Sequence, residues 1–460
     1  MSAARKEEAC LVIRFVNEEG QVEEDFLGFF EATDTTGEGL TNLLIDSLTR
    51  AGLSLENCRG QSYDGASCMS GLVRGVQARV CKIQPLTVYT HCVSHSLNLG
   101  VAAAVKEPTM RGMFGTLKAV SSFLLGSAKR VAKFGELVDE LGAVEGRKKR
   151  LKLLCATRWV ESHECVVTFL ELLHVTAMAL EYYADEGVTE ASAYLAAIRT
   201  APFIVSFVVA EKVMALLLPL SVQLQKSFLV IGDAMTKVQH LADKLDHMRE
   251  NAEKEFRTLF DRAAKEAKES VGLDGGLAAP RRVGRQVHRN AVPGDTAEQY
   301  YRRNVFIPFL DDVRQALRLR FEHKPVYALQ LLIPGCRTTE GDHVNEIMRV
   351  AEVYQEDLDV ALSIVHGEVE TWVDLTKSLT TTSLPDCLEM AKRWLLPSDV
   401  GTLLRLYATL PVSSSSAERA FSKMKHLVTY VRTTMGQEAR TSFELIHSGH
   451  PPQAGLKHRP

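Results

Sequence analysis

The sequence predicts an α/β unit followed by a long all-helical block. Three observations predict it. β-rich apolar runs crowd the first ninety residues, and apolar residues at three- and four-residue steps fill most of the chain from Ser94 to Ala408. The stretch Leu410–Lys425 (LPVSSSSAERAFSKMK) then breaks that monotony with a run of serines opening one more helix. Leu11–Val16 (LVIRFV) and Val22–Phe30 (VEEDFLGFF) flank Asn17-Glu18-Glu19-Gly20, the pattern of a β-hairpin. Glu38–Arg50 follows, with Leu40, Leu43, Leu44 and Leu48 on one helical face. A short strand around Cys58–Tyr63 ends at Asp64, and Gly65-Ala66-Ser67 turns the chain into a helix running through Gly71–Val80. Leu86–His91 (LTVYTH) reads as the next strand. Hairpin, helix, strand, helix and strand together imply a mixed α/β sheet.

Beyond Ser94 the segments Ala104–Glu140, Trp159–Asp185 and Tyr194–Arg262 are periodic helices; in the last, Val238, Leu241, Leu245 and Met248 form the stripe. Gly272–Asp295, rich in Gly, Pro and Arg, reads as an exposed linker or loop. Helices resume at Ala297 and continue to Ala408, with breaks near Pro334-Gly335 and Ser383–Asp386.

The 460 residues suffice for two or three domains, and 46% hydrophobic content describes a globular chain. A net charge of -3 gives no global attraction to nucleic acid, so any DNA contact must come from local patches. Nine cysteines without paired spacing suit a reduced compartment. The opening MSAARKEEACLVIRF has no signal-peptide core, and Glu211 and Lys212 interrupt the most apolar stretch, Ala201–Leu220, so no membrane span is expected.

Within Leu410–Lys425, Ser415 stands three residues before Glu418, the spacing of a capping box. Ala417, Phe421, Met424, Leu427, Val428 and Val431 then recur on one face. Read locally, Glu418 is a helix-capping carboxylate. The same residues, Leu-Pro-x-Ser-x-Ser-x-x-Glu-Arg-x-Phe-Ser followed by Tyr430-x-Arg432-Thr433-Thr434-Met435, resemble the C-terminal dimerisation region of hAT-type transposases. Within them the chain is similar to the transposon-derived zinc finger MYM-type and DUF4371 group. The resemblance implies a ribonuclease-H-like sheet interrupted by a large helical insertion. Its parts would be 1–93 (first part of the ribonuclease-H-like domain), 94–400 (insertion, with a loop at 272–295) and 401–447 (the dimerisation region completing that domain). Of the nucleus and the cytosol, both compatible with the composition, it favours the nucleus.

In that family Glu418 corresponds to one of three acidic metal ligands. The stretch Gly60-Gln61-Ser62-Tyr63-Asp64-Gly65-Ala66-Ser67-Cys68-Met69-Ser70-Gly71 matches the family's second, at Asp64. A carboxylate at a strand's carboxyl end faces a crevice open to metal and phosphate, and paired Mg2+ ions there would activate water or a 3′-hydroxyl. The local alternative is an Asp-Gly turn or a helix cap. The first acid is expected on a strand just before LVIRFV, and Met1–Cys10 holds Glu7 and Glu8 but no Asp. The expectation is therefore a sheet without its first strand and two acids of three.

Cys92 and His95 match a family Cys-x-x-His, but a structural zinc takes four ligands and no second pair is spaced for it. Arg158-Trp159 resembles the family's Thr-Arg-Trp motif, able to pair phosphate and stack on a base; a packed helix start is the equal alternative. Lys148, Lys149 and Arg150 before it, and Arg281, Arg282, Arg285 and Arg289 in the loop, are phosphate contacts or solvated surface. No sequence-specific DNA-binding finger is visible. The expected protein is transposon-derived, non-catalytic, without a cofactor, and a homodimer or higher oligomer through Phe421, Met424, Leu427 and Val431. The alternatives are an active transposase using Mg2+ on Asp64 and Glu418, and a remnant without function.

Overall fold

The computed structural model describes residues 7–93, 95–98, 107–141, 150–153, 159–226, 231–280, 295–320, 324–337, 341–379, 383–393 and 399–431, with backbone alone at 159–162, 319–320 and 425–431. The described chain is mostly helical and divides into two compact units. One gathers Met1–Ser96, Leu224–Thr236 and Glu322–Pro460, and the other Leu97–Gln223 and Lys237–Phe321. The sequence-based partition had assigned all of 94–400 to the insertion. In the structure Leu224–Thr236 and everything from Glu322 onward cluster with the first unit. Tyr407 shows why. Its side chain is fully buried, with the hydroxyl so close to Gly232 that a Cβ there would come within 2.1 Å.

In the first unit, β1 (Glu8–Val16) and β2 (Val22–Glu31) form the expected hairpin, in register from Val16↔Val22 to Glu8↔Glu31. The Gly20 N–H donates to the Asn17 carbonyl at 3.0 Å, and a positive φ of 84° at Gly20 closes the turn. A bulge at Leu11/Val12 sits opposite Gly28, whose φ of 152° few side chains tolerate. α1 (Gly37–Arg50) starts at Thr36, whose hydroxyl accepts the Gly39 N–H at 3.1 Å. β3 (Gly60–Tyr63) and β4 (Val88–His91) run parallel with Gly60 opposite Val88.

Two expectations change here. The single helix through Gly71–Val80 is instead α2 (Ser67–Ser70) and α3 (Val76–Ile83). Gly71 and Gly75 approach so closely that a Cβ on Gly75 would lie 2.4 Å from the Gly71 nitrogen, which bends the backbone out of one continuous helix. The single mixed sheet is instead two separate two-stranded sheets, β1–β2 antiparallel and β3–β4 parallel. A cavity of about 340 Å³ lies between them, lined by residues 10–15 of β1 and by all of β3.

The second unit is a helical assembly from Pro108–Leu125 to Ile307–Arg320. Its helices follow the predicted periodicity but are cut shorter, as at Gly187, where a φ of 86° ends one helix. Phe169, Phe203 and Phe207 interlock at ring distances of 5.5–6.4 Å in its core. The helix Ala201–Leu224 is long and apolar enough to cross a membrane by length and composition. Yet 67% of its most apolar window is buried inside the protein, and Glu211 pairs with Arg262 at 2.7 Å. These are the marks of a core helix.

Candidate active-site region at the ends of β3 and β4

Two hydrogen bonds join the two ends of the chain, and a third ties the end of β4 to that of β3. The Cys92 N–H, just past β4, donates to the Tyr63 carbonyl at 3.0 Å, and the Val93 N–H donates to the Val412 carbonyl at 3.1 Å. The Ser414 N–H donates to the Cys92 sulfur at 3.3 Å. The serine run is thereby stitched to the carboxyl ends of β3 and β4, where Asp64 emerges, and the helix Ser415–Val431 carries Glu418 to the same end.

Each acid is engaged locally. The Asp64 carboxylate accepts the Ala66 N–H at 3.1 Å, the Asp-Gly turn of its local reading. Glu418 accepts the Ser414 hydroxyl at 3.0 Å, while its own N–H donates to the Ser414 carbonyl at 3.0 Å. This corrects the predicted capping box by one residue. Ser415 is the first helical residue and is buried, its hydroxyl receiving that of Ser413 at 2.8 Å, so Ser414 is the serine Glu418 meets.

The electrostatics report that the acids share a neighbourhood. Burial pushes the Cys92 thiol up, and the Glu418 charge adds to the shift against the hydrogen bonds from Ser414. Burial pushes the Tyr89 phenol up to about 12, with the Asp64 charge and then Cys92 adding to it. Tyr63, Tyr89, His91 and His95 form a ladder of rings at 6.1, 6.3 and 5.8 Å. Burial thus favours the protonated Cys92 thiol, and the His95 imidazole lies beside the His91 ring. Among the described residues no three His, Cys, Asp or Glu side chains are grouped to hold a metal ion.

Tyr89 carries a pH prediction. Its folded pKa lies above the ordinary 10, so its stabilising share is whole below pH 10 and is lost as pH rises through about 12. Urea midpoints measured between pH 9 and 11.5 are expected to fall less steeply for Tyr89→Phe than for the parent. Equal slopes would mean that the phenol titrates as it does in the unfolded chain.

The remaining predicted residues are dispersed. Lys148, Lys149, Arg158, Arg281, Arg282, Arg285 and Arg289 lie outside the described residues, and Arg150 is exposed. Trp159 opens the helix Trp159–Glu171, its side chain outside the description, as are those of Leu427 and Val431. The Phe421 ring sits 5.2 Å from that of Phe29, so this residue, expected at a dimer interface, packs on β2 of its own chain; Met424 is half-buried one turn on.

Sequence reasoning missed a polar network under this helix. Arg14 Nη1 donates to Glu24 at 2.7 Å and its Nε to the Ala408 carbonyl at 2.9 Å. The Ser416 hydroxyl donates to the other Glu24 oxygen and receives Arg419 Nη2 at 2.7 Å. Arg419 Nη1 reaches the Gln225 carbonyl at 2.6 Å. The available signal was an arginine inside LVIRFV with a glutamate at the mirrored position across the turn: Arg14 and Glu24 are register partners.

Two acids from distant parts of one chain thus lie near the carboxyl ends of the parallel strands β3 and β4. Residues 2–75 match the family model DUF4371, described as the ZMYM1/FAM200 RNase-like domain. Over 96% of its length the chain is 25% identical to the human protein named 52 kDa repressor of the inhibitor of the protein kinase, and equally to the mouse protein of that name. It spans about 60% of the length of these curated relatives. These matches bear out the resemblance to the transposase-derived DUF4371 group read from the sequence.

Proposed function

We propose that this chain is a non-catalytic, transposon-derived nuclear protein that keeps a split, ribonuclease-H-like scaffold and self-associates through its C-terminal region. One observation carries the non-catalytic reading. Asp64 and Glu418 reach one end of the unit, yet each is held by its own helix start, and among the described residues they are joined by no third ligand. A two-metal displacement needs a clamp on both the attacking and the leaving oxygen, and two carboxylates occupied as turn and cap supply little of it. In the alternative, an active transposase, the same two residues would hold Mg2+. A supercoiled-plasmid nicking assay with Mg2+ or Mn2+ decides between them. Parent and Asp64→Asn protein are expected to nick equally little; nicking by the parent that Asp64→Asn abolishes overturns the proposal.

Self-association rests on the apolar stripe beyond Phe421, since Phe421 itself is turned inward. Light scattering is expected to give twice the protomer mass, and Leu427→Asp to lower it. A protomer mass for the parent removes this half of the reading. DNA contact, through Arg150 and the basic run before it, would be sequence-independent and salt-sensitive.

A further inference from the structure

The helix Leu362–Leu375 of the first unit buries one face and leaves a narrow second seam in solvent. Val365, Val369 and Trp372 form the buried face. Ile364, Gly367, Thr371 and Leu375 stand at steps of three, four and four residues, a single stripe along the helix, and all four are exposed. Ile364 and Leu375, at its two ends, are 54% and 56% exposed. Between them the Thr371 hydroxyl donates to the Gly367 carbonyl at 2.7 Å, so its proton is used within the helix. A glycine inside an exposed helix costs about 1 kcal/mol relative to alanine, and a Cβ on Gly367 would meet nothing within 4 Å. The protomer therefore gains nothing from the missing side chain. A second helix would, because the side chains at the contact set how closely two helices pack.

The charges select which helix. Asp374 is exposed and in no ion pair among the described residues, and Glu370, also exposed, lies 3.7 Å from His366 Nδ1. Both acids line one flank of the seam, while Lys377 stands past the last turn. Two such seams face to face would set like charges against each other, which is unfavourable. An apolar stripe flanked by lysines would be attracted instead. The chain carries one: in the helix Ser415–Val431, the stripe Met424, Leu427 and Val431 is flanked by Lys423 and Lys425. At 1.5 Å per residue that stripe is about 10 Å long and the seam about 16 Å.

We propose that the seam of Ile364, Gly367, Thr371 and Leu375 receives the C-terminal helix of a second copy, with Glu370 and Asp374 facing its lysines. This assignment rests on the self-association reading above and supplies the surface that reading lacks. A closed pair uses the contact twice, once in each direction.

Sedimentation equilibrium of the full chain reads the dimer dissociation constant. Gly367→Leu fills the notch and is expected to raise that constant about tenfold. The urea midpoint of the same variant should hold or rise, because leucine suits a helix better than glycine. A merely structural role for Gly367 would not separate the two readouts. Asp374→Lys and Lys425→Glu are each expected to weaken the dimer about tenfold. Combined, they should bring it back to within about threefold of the parent, since the pair is restored with its signs exchanged. A parent dimer that none of these variants weakens, or a double variant no tighter than the singles, overturns the proposal and leaves self-association standing. A parent of protomer mass at every concentration removes both.

Discussion

Glu24→Ala is expected to lower the unfolding free energy of the first unit by about 3–5 kcal/mol, the range for removing one partner of a buried ion pair. The side chains of Arg14 and Glu24 are only 7% and 16% exposed. Burial alone pulls the Arg14 pKa down, and Glu24 is the group that opposes it. Without Glu24 the guanidinium keeps the Ala408 carbonyl but loses the carboxylate that offsets its burial, and the Ser416 hydroxyl loses its acceptor. Since a typical domain is stable by about 5–15 kcal/mol, this change approaches the whole margin. Urea unfolding checks it through a lower midpoint at unchanged slope. Replacing both residues, Arg14→Met with Glu24→Leu, should recover most of the loss, because no charge then remains buried. A Glu24→Ala protein within about 1 kcal/mol of the parent would show that water reaches Arg14.

Phe29→Ala is expected to cost about 3–5 kcal/mol, as for other buried aromatic truncations. Phe29 is 1% exposed and touches Phe26 at 5.0 Å and Phe421 at 5.2 Å, so it ties the hairpin to the Ser415 helix. A double-mutant cycle between Phe29→Ala and Phe421→Ala should return a coupling of about 0.5–1.5 kcal/mol, the worth of an aromatic pair beyond its area. Phe421→Asp would place a carboxylate against Phe29 and is expected to loosen the helix that carries Glu418. Its first sign would be lowered stability in the protomer, whatever happens to the oligomer. Zero coupling would mean that the two rings do not meet in solution.

Much of the candidate site was legible before any coordinates. Tyr63-Asp64-Gly65 reads as a strand end followed by a turn, and the serine run before Glu418 as a helix start, because each depends on a few neighbouring residues. The one-residue error at Ser415 has the same origin. Spacing identifies a cap, but the burial of Ser415 in a completed fold decides which serine performs it. The Arg14–Glu24 pair was visible only as a charge out of place in an apolar strand. Its meaning needed the hairpin register and Ser416 from the far end of the chain.

By itself the sequence determined the hairpin, α1, the short strands β3 and β4, the helical character of the middle and the local setting of both acids. Side-chain period, turn glycines and capping hydroxyls act within a turn or two of backbone. Only the tertiary structure decided that Leu224–Thr236 and the helices after Glu322 join the first unit, that the four strands form two separate pairs, and that Phe421 faces its own hairpin. Those outcomes turn on which apolar faces and strand edges meet across hundreds of residues, and that choice is made by the packing of the whole core rather than by any local pattern.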